Sequence, residues 1–218
     1  VWSLAVTNYS EKKRELTVTG YAEFTNNSNY EQDQVNLQYS QYITQTVFRG
    51  NRVRQMIHAN LDRLEEGENI DNKNVFNRFF GLAGADVNSW CGDKESFLGR
   101  YHGYNNPEGV ITGKLSNKGN YNENSCGALS TVLSLAPGET KEITFLVGMK
   151  GDAEAGEIVE HYKNCQDVCK RELEELIEYW HGQLSHFQIR TPSPEFNTMI
   201  NIWNAYNCFM TFIWSRAA

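Results

Sequence analysis

The stretch PEFNTMINIWNAYNCFMTFIWSRAA, residues 194–218, decides which fold this chain can adopt. Ser193 is a suitable helix N-cap, Pro194 suits the first helical position, and Glu195 favours the positive end of the helix dipole. No further charge occurs before Arg216, and apolar side chains recur at helical spacing around most of the circumference. The polar interruptions are neutral, chiefly Asn197, Asn201, Asn204, Asn207 and Thr211. Because a helix at a protein surface carries a charged solvent face, this pattern predicts a helix that protein covers on most sides.

Two interpretations of this helix stay open. Either it docks onto its own domain or into a dimer, or it is the first helix of a domain whose remainder lies outside the 218 residues. The opposite end favours the second interpretation, because Val1 is not an initiator residue and residues 1–7 already alternate like a half-buried strand. We therefore expect part of a longer protein, from which a targeting segment could have been lost.

The composition argues against two classes of partner. The net charge is −7 and the 20 basic residues are spread along the chain, whereas nucleic acids and anionic membranes require a basic surface. No apolar run approaches the roughly 18 residues of a membrane span, so the sequence predicts a soluble protein. Aromatic residues make up 12%, which fits a carbohydrate- or protein-binding surface as well as a large β-sheet core.

The five cysteines show neither zinc-ribbon nor CxxC spacing. Cys165 and Cys169 lie four residues apart on one predicted helix face and could place two thiolates on a metal. That face also carries the apolar residues Ile158, Tyr162, Leu173, Leu176, Ile177 and Trp180. We therefore interpret both cysteines as core residues and expect no metal site. Reduced, buried thiols indicate a cytoplasmic protein.

Residues 1–150 predict a β-sandwich. Apolar and polar side chains alternate in four segments, residues 16–24, 35–43, 129–135 and 143–147. Residues 136–139 are Ala-Pro-Gly-Glu, with proline and glycine at the positions where a type II turn requires them. Several strands at such spacing, with turn residues between them, favour a sandwich over alternating strands and helices.

From residue 157 the period becomes helical. One apolar stripe runs through residues 157–184 with Glu and Lys on its other side, and residues 186–192 form a short connection to the terminal helix. The predicted fold is therefore mainly β with α. A β-sandwich (residues 1–150), truncated at its N-terminus, precedes a helical linker (residues 151–190), and residues 191–218 begin an all-helical domain.

Sequence motifs for catalysis are missing. There is no phosphate-binding Gly loop, no GxSxG elbow and no HExxH motif. His181 and His186 lie near a predicted helix end, where a cation suits the helix dipole better than it suits catalysis. Asp93 and Glu95 could present two acids, but otherwise they resemble a polar loop. From the residues alone, the chain contains no complete active site.

Four groups of residues together resemble a known family. They are DKESFLGRY (93–101), NSCGAL (124–129), LAPGE (135–139) and MINIWNAY (199–206), the last followed by Thr211-Phe212 and Ser215-Arg216. In this order and spacing they resemble glycoside hydrolase family 94, the cellobiose, cellodextrin and chitobiose phosphorylases. The resemblance extends over essentially the whole chain. It implies an N-terminal β-sandwich, a helical linker, an (α/α)6 barrel and a small C-terminal β-domain, so residues 191–218 would be only the first helix of an incomplete barrel.

The resemblance also implies a reaction. Family members cleave a β-glycosidic bond with inorganic phosphate and invert the anomeric centre, which gives an α-sugar 1-phosphate. Because phosphate is already a nucleophile, one carboxylic acid suffices, to protonate the leaving oxygen. We expect that general-acid aspartate downstream of this chain, no catalytic residue within it, and no cofactor; phosphate is a co-substrate.

The expected function is therefore part of an inverting phosphorylase acting on cellobiose or cellodextrins, with the isolated chain inactive. Family enzymes are homodimers in which the sandwich of one subunit is similar to a lid beside the other's sugar pocket, and the predicted strand 35–42 corresponds to that region. Asn36 and Gln38, on its polar face, are candidate substrate-binding residues, because amides both donate to and accept from sugar hydroxyls. The alternative for both amides is a plain solvent face.

Two other functions stay open. The chain could be a non-catalytic carbohydrate-binding or assembly module, or a family-94-like domain of a larger glucan synthase. Glycan binding by the isolated sandwich would favour the first, and membrane segments upstream in the parent protein would favour the second.

Overall fold

The fold is that of a computed structural model, which describes residues 1–25, 37–57 and 77–214. The chain divides into two compact units, Val1–Cys169 and Lys170–Ala218. The domain boundaries predicted at residues 150 and 190 stay a prediction.

Eight strands lie within the described residues of the first unit, and all of their pairings are antiparallel. They are β1 (Trp2–Thr7), β2 (Arg14–Glu23), β3 (Thr44–Phe48), β4 (Arg52–Ile57), β5 (Arg78–Ala83), β6 (Ser89–Asp93), β7 (Ser125–Leu135) and β8 (Thr140–Met149). A five-stranded sheet has the order β1-β8-β5-β4-β3, and a three-stranded sheet has the order β2-β7-β6.

The two sheets enclose one apolar core. It consists of Phe24, Val53, Phe80, Leu82, Leu129, Leu133, Ile143 and Phe145. Each such side chain stabilises the fold by about 1.5–3 kcal/mol when fully buried. Between β7 and β8, Gly138 has a φ of 73° and the N–H of Glu139 donates to the carbonyl of Ala136 at 3.1 Å, as the type II turn requires. The predicted mainly β sandwich is confirmed.

Seven α-helices and one π turn occur in the described residues. They are α1 (Leu37–Tyr42), α2 (Lys94–Leu98), α3 (Glu108–Ile111), α4 (Asp152–His161), α5 (Cys165–Leu184), α6 (Pro194–Thr198) and α7 (Ala205–Trp214), with the π turn Met199–Asn204 between α6 and α7. The last three elements follow one another without a break and form the terminal helix.

The predicted strand over residues 35–42 is wrong where the structure describes it, because residues 37–42 form helix α1. Val35 and Asn36 lie outside the described residues. The six residues LQYSQY include one Leu and two Gln, which are good helix formers, and so short an alternation does not overrule that propensity. After α1, sheet pairing resumes at Thr44, in β3.

The predicted helical linker consists of two helices rather than one. Helix α4 ends at His161 and α5 begins at Cys165. Asn164 directly precedes α5, and asparagine is favoured at N-caps, where its side chain competes with helix continuation. Within the first unit, α4 packs Ala155 and Val159 against the five-stranded sheet.

The apolar stripe of α5 is not buried as predicted. Leu173, Leu176, Ile177 and Trp180 are all exposed. Helical periodicity shows that these side chains share one face of α5. It does not show whether any other part of these 218 residues covers that face. Within the second unit, Trp180 meets Phe209 of α7 edge to face, with ring centroids 5.3 Å apart.

The cysteine prediction is only partly correct. Cys91, Cys126, Cys169 and Cys208 are free thiols, but only Cys91 and Cys126 are buried. Cys169 is half-buried beside the hydroxyl of Thr144 at 3.6 Å, so it is not a core residue, and the side chain of Cys165 lies outside the described ones. The exposed thiol of Cys208 lies on α7, and most apolar residues of this helix are also exposed.

The terminal helix begins as predicted. Pro194 is its first residue, and the Ser193 hydroxyl oxygen accepts the N–H of Phe196 at 3.3 Å. Among the described residues, no helix combines the length and the hydropathy that a membrane span needs. Most of the large apolar side chains of the terminal helix are exposed, with Trp203 56% and Trp214 74% accessible.

Candidate functional site

Two of the segments that carry the family resemblance meet in space. β6 delivers Asp93 opposite Ser125 of β7, and the N–H of Lys94 donates to the carbonyl of Asn124 at 3.0 Å. The sequence separates these segments by some thirty residues (125 − 93 = 32). The antiparallel pairing of β6 with β7 therefore builds one polar surface, the 93/124 surface, from residues 93–104 and 118–124.

Asp93 is the fixed centre of the 93/124 surface. Its side chain is almost fully buried and caps α2, because Oδ1 accepts the N–H of Ser96 at 2.7 Å. Its other oxygen, Oδ2, lies 3.3 Å from Nζ of Lys118. Burial acts to raise the pKa of Asp93, but the bonds from Ser96, Glu123 and Lys118 outweigh burial and lower that pKa. Asp93 is therefore an ionised acceptor held in one orientation.

Glu123 lies beside Asp93, and its pKa is shifted in the opposite direction. Its hydrogen bond to Asp93 and the negative charge of Asp93 raise the pKa of Glu123. Two neighbouring carboxyl groups share a proton in this way because like charges resist double ionisation. Glu123 is exposed and Asp93 is not. The proton of Glu123 is therefore directed toward Asp93, which is the acceptor of the pair.

A second cluster on the same surface centres on Glu23 of β2. Its carboxylate accepts hydrogen bonds from the hydroxyls of Tyr21, at 3.0 Å, and Tyr104, and it pairs with Nζ of Lys94 at 3.2 Å. Burial alone would raise the pKa of Glu23, but these bonds lower it. Tyr21 stacks on Phe97 with centroids 4.3 Å apart, which holds its hydroxyl in place. The cluster is a rigid array of hydroxyl, carboxylate and ammonium groups.

Helix α1 is attached to the 93/124 surface. Nε2 of Gln41 donates to Oδ1 of Asn124 at 2.9 Å. Gln38, one turn earlier on α1, is exposed, as are the neighbouring Tyr42 and, on the loop before β7, Tyr121. The substrate-binding role of Asn36 and Gln38 stays a prediction; only Gln38 lies among the described residues, on a helix instead of a strand.

Sequence reasoning named Asp93, paired with Glu95, but did not identify Glu23 and Glu123. Asp93 has a signal, since an aspartate three residues before the N–H it caps is a common helix start. Glu23 and Glu123 have none, because Lys94 and Tyr104 reach Glu23, and Asp93 reaches Glu123, from segments that are distant in the chain. In the part of the chain that the structure describes, no group of three or more His, Cys, Asp or Glu side chains is arranged to hold a metal ion.

Family models match both units. The model described as glycosyl hydrolase 94, supersandwich domain, matches residues 1–165. The model described as glycosyl hydrolase 94 superfamily, catalytic domain, matches residues 179–218. The 93/124 surface thus lies in the part that matches the supersandwich domain.

Several curated proteins are similar to the chain. An N,N'-diacetylchitobiose phosphorylase of Vibrio proteolyticus is 28% identical over 220 residues, which cover 100% of this chain and 26% of that protein. The cyclic beta-(1,2)-glucan synthase NdvB of Rhizobium meliloti (strain 1021) is 28% identical over 142 residues, covering 64% of this chain and 5% of that protein. A 3-O-beta-D-glucopyranosyl-beta-D-glucuronide phosphorylase of Paenibacillus borealis is 28% identical over 121 residues, covering 54% of this chain and 15% of that protein. The chain therefore spans about a quarter of the phosphorylase that it matches from end to end.

Proposed function

Because this chain belongs to the glycosyl hydrolase 94 family, we propose that it is part of an inverting phosphorylase that cleaves a β-linked disaccharide or oligosaccharide with inorganic phosphate. The observation that carries the proposal is the similarity of the whole chain to about a quarter (26%) of a phosphorylase. That relative acts, by its name, on N,N'-diacetylchitobiose, which becomes the first substrate to test. Cellobiose and cellodextrins follow it in the test.

In the proposed reaction, phosphate attacks the anomeric carbon while a carboxylic acid protonates the departing glycosidic oxygen, and an α-sugar 1-phosphate forms. General-acid assistance of this kind is worth about 10²–10⁴-fold in rate. We place that acid outside this chain, since the described carboxylates of the 93/124 surface are engaged in a cap and in hydrogen bonds. We propose no cofactor besides the phosphate co-substrate.

The role that we propose for the sandwich is to border the sugar pocket of a second subunit in a cytoplasmic homodimer. Gln38 is exposed on α1, and Gln41 anchors this helix to Asn124. An amide on an anchored helix loses little conformational freedom when it binds a hydroxyl. The free thiols of the described cysteines agree with a reducing compartment.

Phosphorolysis by the full-length protein tests the reaction. We expect phosphate-dependent release of α-sugar 1-phosphate from at least one of N,N'-diacetylchitobiose, cellobiose and cellodextrins, and none from the isolated 218 residues. Sugar release that does not require phosphate, or no release from any of them, would contradict the proposed reaction.

Asn36→Ala and Gln38→Ala in the full-length enzyme test whether the sandwich borders the sugar pocket of the second subunit. Each substitution should raise the KM for the acceptor sugar about tenfold with little change in kcat, since one hydrogen bond to a substrate is lost. Asn88→Ala is the matched control, because Asn88 is an exposed amide of the sandwich in the loop before β6. Equal KM values in all three variants would refute a role in sugar binding.

A domain of a larger glucan synthase is the second candidate, and the similarity to NdvB over 142 residues favours it. In that case the parent protein would lengthen or trim a β-glucan chain and would show no turnover of free disaccharides. A parent that binds glycans without turnover would instead be a non-catalytic carbohydrate-binding module.

A further inference from the structure

The neutral side chains that interrupt the apolar terminal helix are not equivalent. Asn197 and Asn201 lie four residues apart, Asn197 in α6 and Asn201 in the π turn. Both turn their amides toward the extended segment 188–192, which connects α5 with the terminal helix. Asn204 and Asn207 are exposed, and neither makes a hydrogen bond through its side chain within the described residues.

Each of the two amides binds both polar groups of one backbone residue. Oδ1 of Asn201 accepts the N–H of Ile189 at 2.8 Å, and Nδ2 donates to the carbonyl of Ile189 at 2.9 Å. Oδ1 of Asn197 accepts the N–H of Thr191 at 2.8 Å, and Nδ2 donates to the carbonyl of Thr191 at 3.0 Å. The Thr191 hydroxyl donates to the same Oδ1 at 2.8 Å. The backbone of the connection is thus paired as it would be by a neighbouring strand.

The spacing explains why this pairing works. Four residues of a helix advance about 6 Å, and two residues of an extended chain advance about 6.6 Å. Asn197 faces Thr191 and Asn201 faces Ile189, so the connection runs antiparallel to the helix. Only a side chain with a donor and an acceptor in one plane can bind both backbone groups at once, which asparagine does and leucine or aspartate does not.

We propose that Asn197 and Asn201 form a binding site for extended backbone that fixes the register of residues 188–192 on the terminal helix. At position 189 the site recognises only the peptide group, so it tolerates different side chains there except proline, whereas at position 191 the threonine hydroxyl adds a bond of its own. The connection and the terminal helix both lie within the part that matches the family's catalytic domain. The inference goes beyond the proposed function, because it holds for any reaction that the full protein performs.

Amide hydrogen exchange of the 218-residue chain tests the site. In Asn201→Ala, the Ile189 amide should exchange about tenfold faster, the factor expected for loss of one hydrogen bond of ordinary strength. Asn204→Ala, a change of the same residue type on the same helix, should leave the Ile189 amide unchanged. Equal exchange of this amide in the wild type and Asn201→Ala would overturn the proposal.

Asn201→Asp gives a second readout, the pH dependence of the thermal midpoint, which a simple loss of packing would not change. A protonated aspartic acid can still donate to the Ile189 carbonyl, whereas the carboxylate repels it, so folding raises the pKa of the new side chain above its ordinary value of about 3.9. The contribution of this bond is complete below the unfolded pKa and is lost as pH rises through the folded pKa. The thermal midpoint of Asn201→Asp should therefore approach that of the wild type as pH falls from about 7 to about 4. Asn204→Asp should show no such approach, and parallel pH curves for the two variants would overturn the proposal.

Discussion

Asp152, the first residue of α4, fixes the contact between this helix and strand β4. Three arginines surround its carboxylate, with Nη atoms of Arg49 at 2.5 Å, Arg52 at 2.6 Å and Arg54 at 3.2 Å. Arg54 is completely buried, so its charge requires a counterion. Burial acts to raise the pKa of Asp152, but the bonds from Arg49 and Arg52 and the charge of Arg54 lower it. Asp152 therefore ties the first turn of α4 to β4.

Replacing Asp152 by Asn should lower the free energy of unfolding by about 3 kcal/mol, since it removes a carboxylate that pairs with the buried Arg52 and Arg54. Because folding lowers the pKa of Asp152, its contribution is present above the ordinary carboxyl pKa of about 3.9 and is lost as pH falls through the folded pKa. Urea unfolding at neutral and acidic pH measures both effects. Glu154→Gln on the same helix, where an exposed acid pairs with Lys150, should cost under about 0.5 kcal/mol. Similar losses for Asp152→Asn and Glu154→Gln would show that the buried cluster contributes little.

At the scale of elements, glycine has opposite effects in a strand and in a helix. In β7, a Cβ on Gly127 would lie 2.4 Å from Cβ of Phe80 and 2.9 Å from the ring of Phe24. The close approach of β7 to β5 across the core therefore requires glycine. In α5, a Cβ on Gly182 meets no atom within 4 Å of the described chain, so this glycine only weakens the helix.

Gly127→Ala should destabilise the sandwich by about 1–3 kcal/mol through overpacking. Gly182→Ala should stabilise α5 by about 0.5–1 kcal/mol, because alanine loses less backbone entropy in a helix. Thermal unfolding followed by circular dichroism compares the two variants directly. A neutral Gly127→Ala would mean that β5 and β7 can move apart at no cost.

At the scale of the whole molecule, the second unit exposes a broad apolar surface. The exposed side chains on α5 and the terminal helix include Leu173, Leu176, Ile177, Met199, Ile202, Trp203, Phe212 and Trp214. Contiguous apolar patches of this kind mark interaction surfaces or cause association. We therefore expect the 218-residue chain to self-associate.

Trp203→Glu should reduce this self-association severalfold, because it places a charge in the middle of the apolar surface. Asn207→Glu adds the same charge to the same helix at a position that is already polar, and it should have a smaller effect. Light scattering at increasing protein concentration measures the difference. Equal suppression by both variants would indicate that net charge, and not the apolar surface, controls association.

Features that depend on residues nearby in the chain can be predicted from the sequence. The alternation of β7 and β8, the type II turn at Gly138 and the N-cap at Ser193 all depend on neighbours a few residues away, so they were predictable. The substrate-binding role of Gln38 stays a prediction, and its predicted strand is wrong because the residue lies on helix α1. Helix α1 was missed because its six residues carry both a β-like alternation and helix-forming side chains.

The sandwich, the helices that follow it and the apolar character of the terminal helix can all be predicted from the sequence, because hydrophobic periodicity and turn chemistry are local properties. Three contacts could not be predicted in this way: that of Asp93 with Lys118 and Glu123, that of three arginines with Asp152, and that of Asn197 and Asn201 with the connection. These contacts join separate segments of the chain. The register of the strands and the packing of the helices bring those segments together.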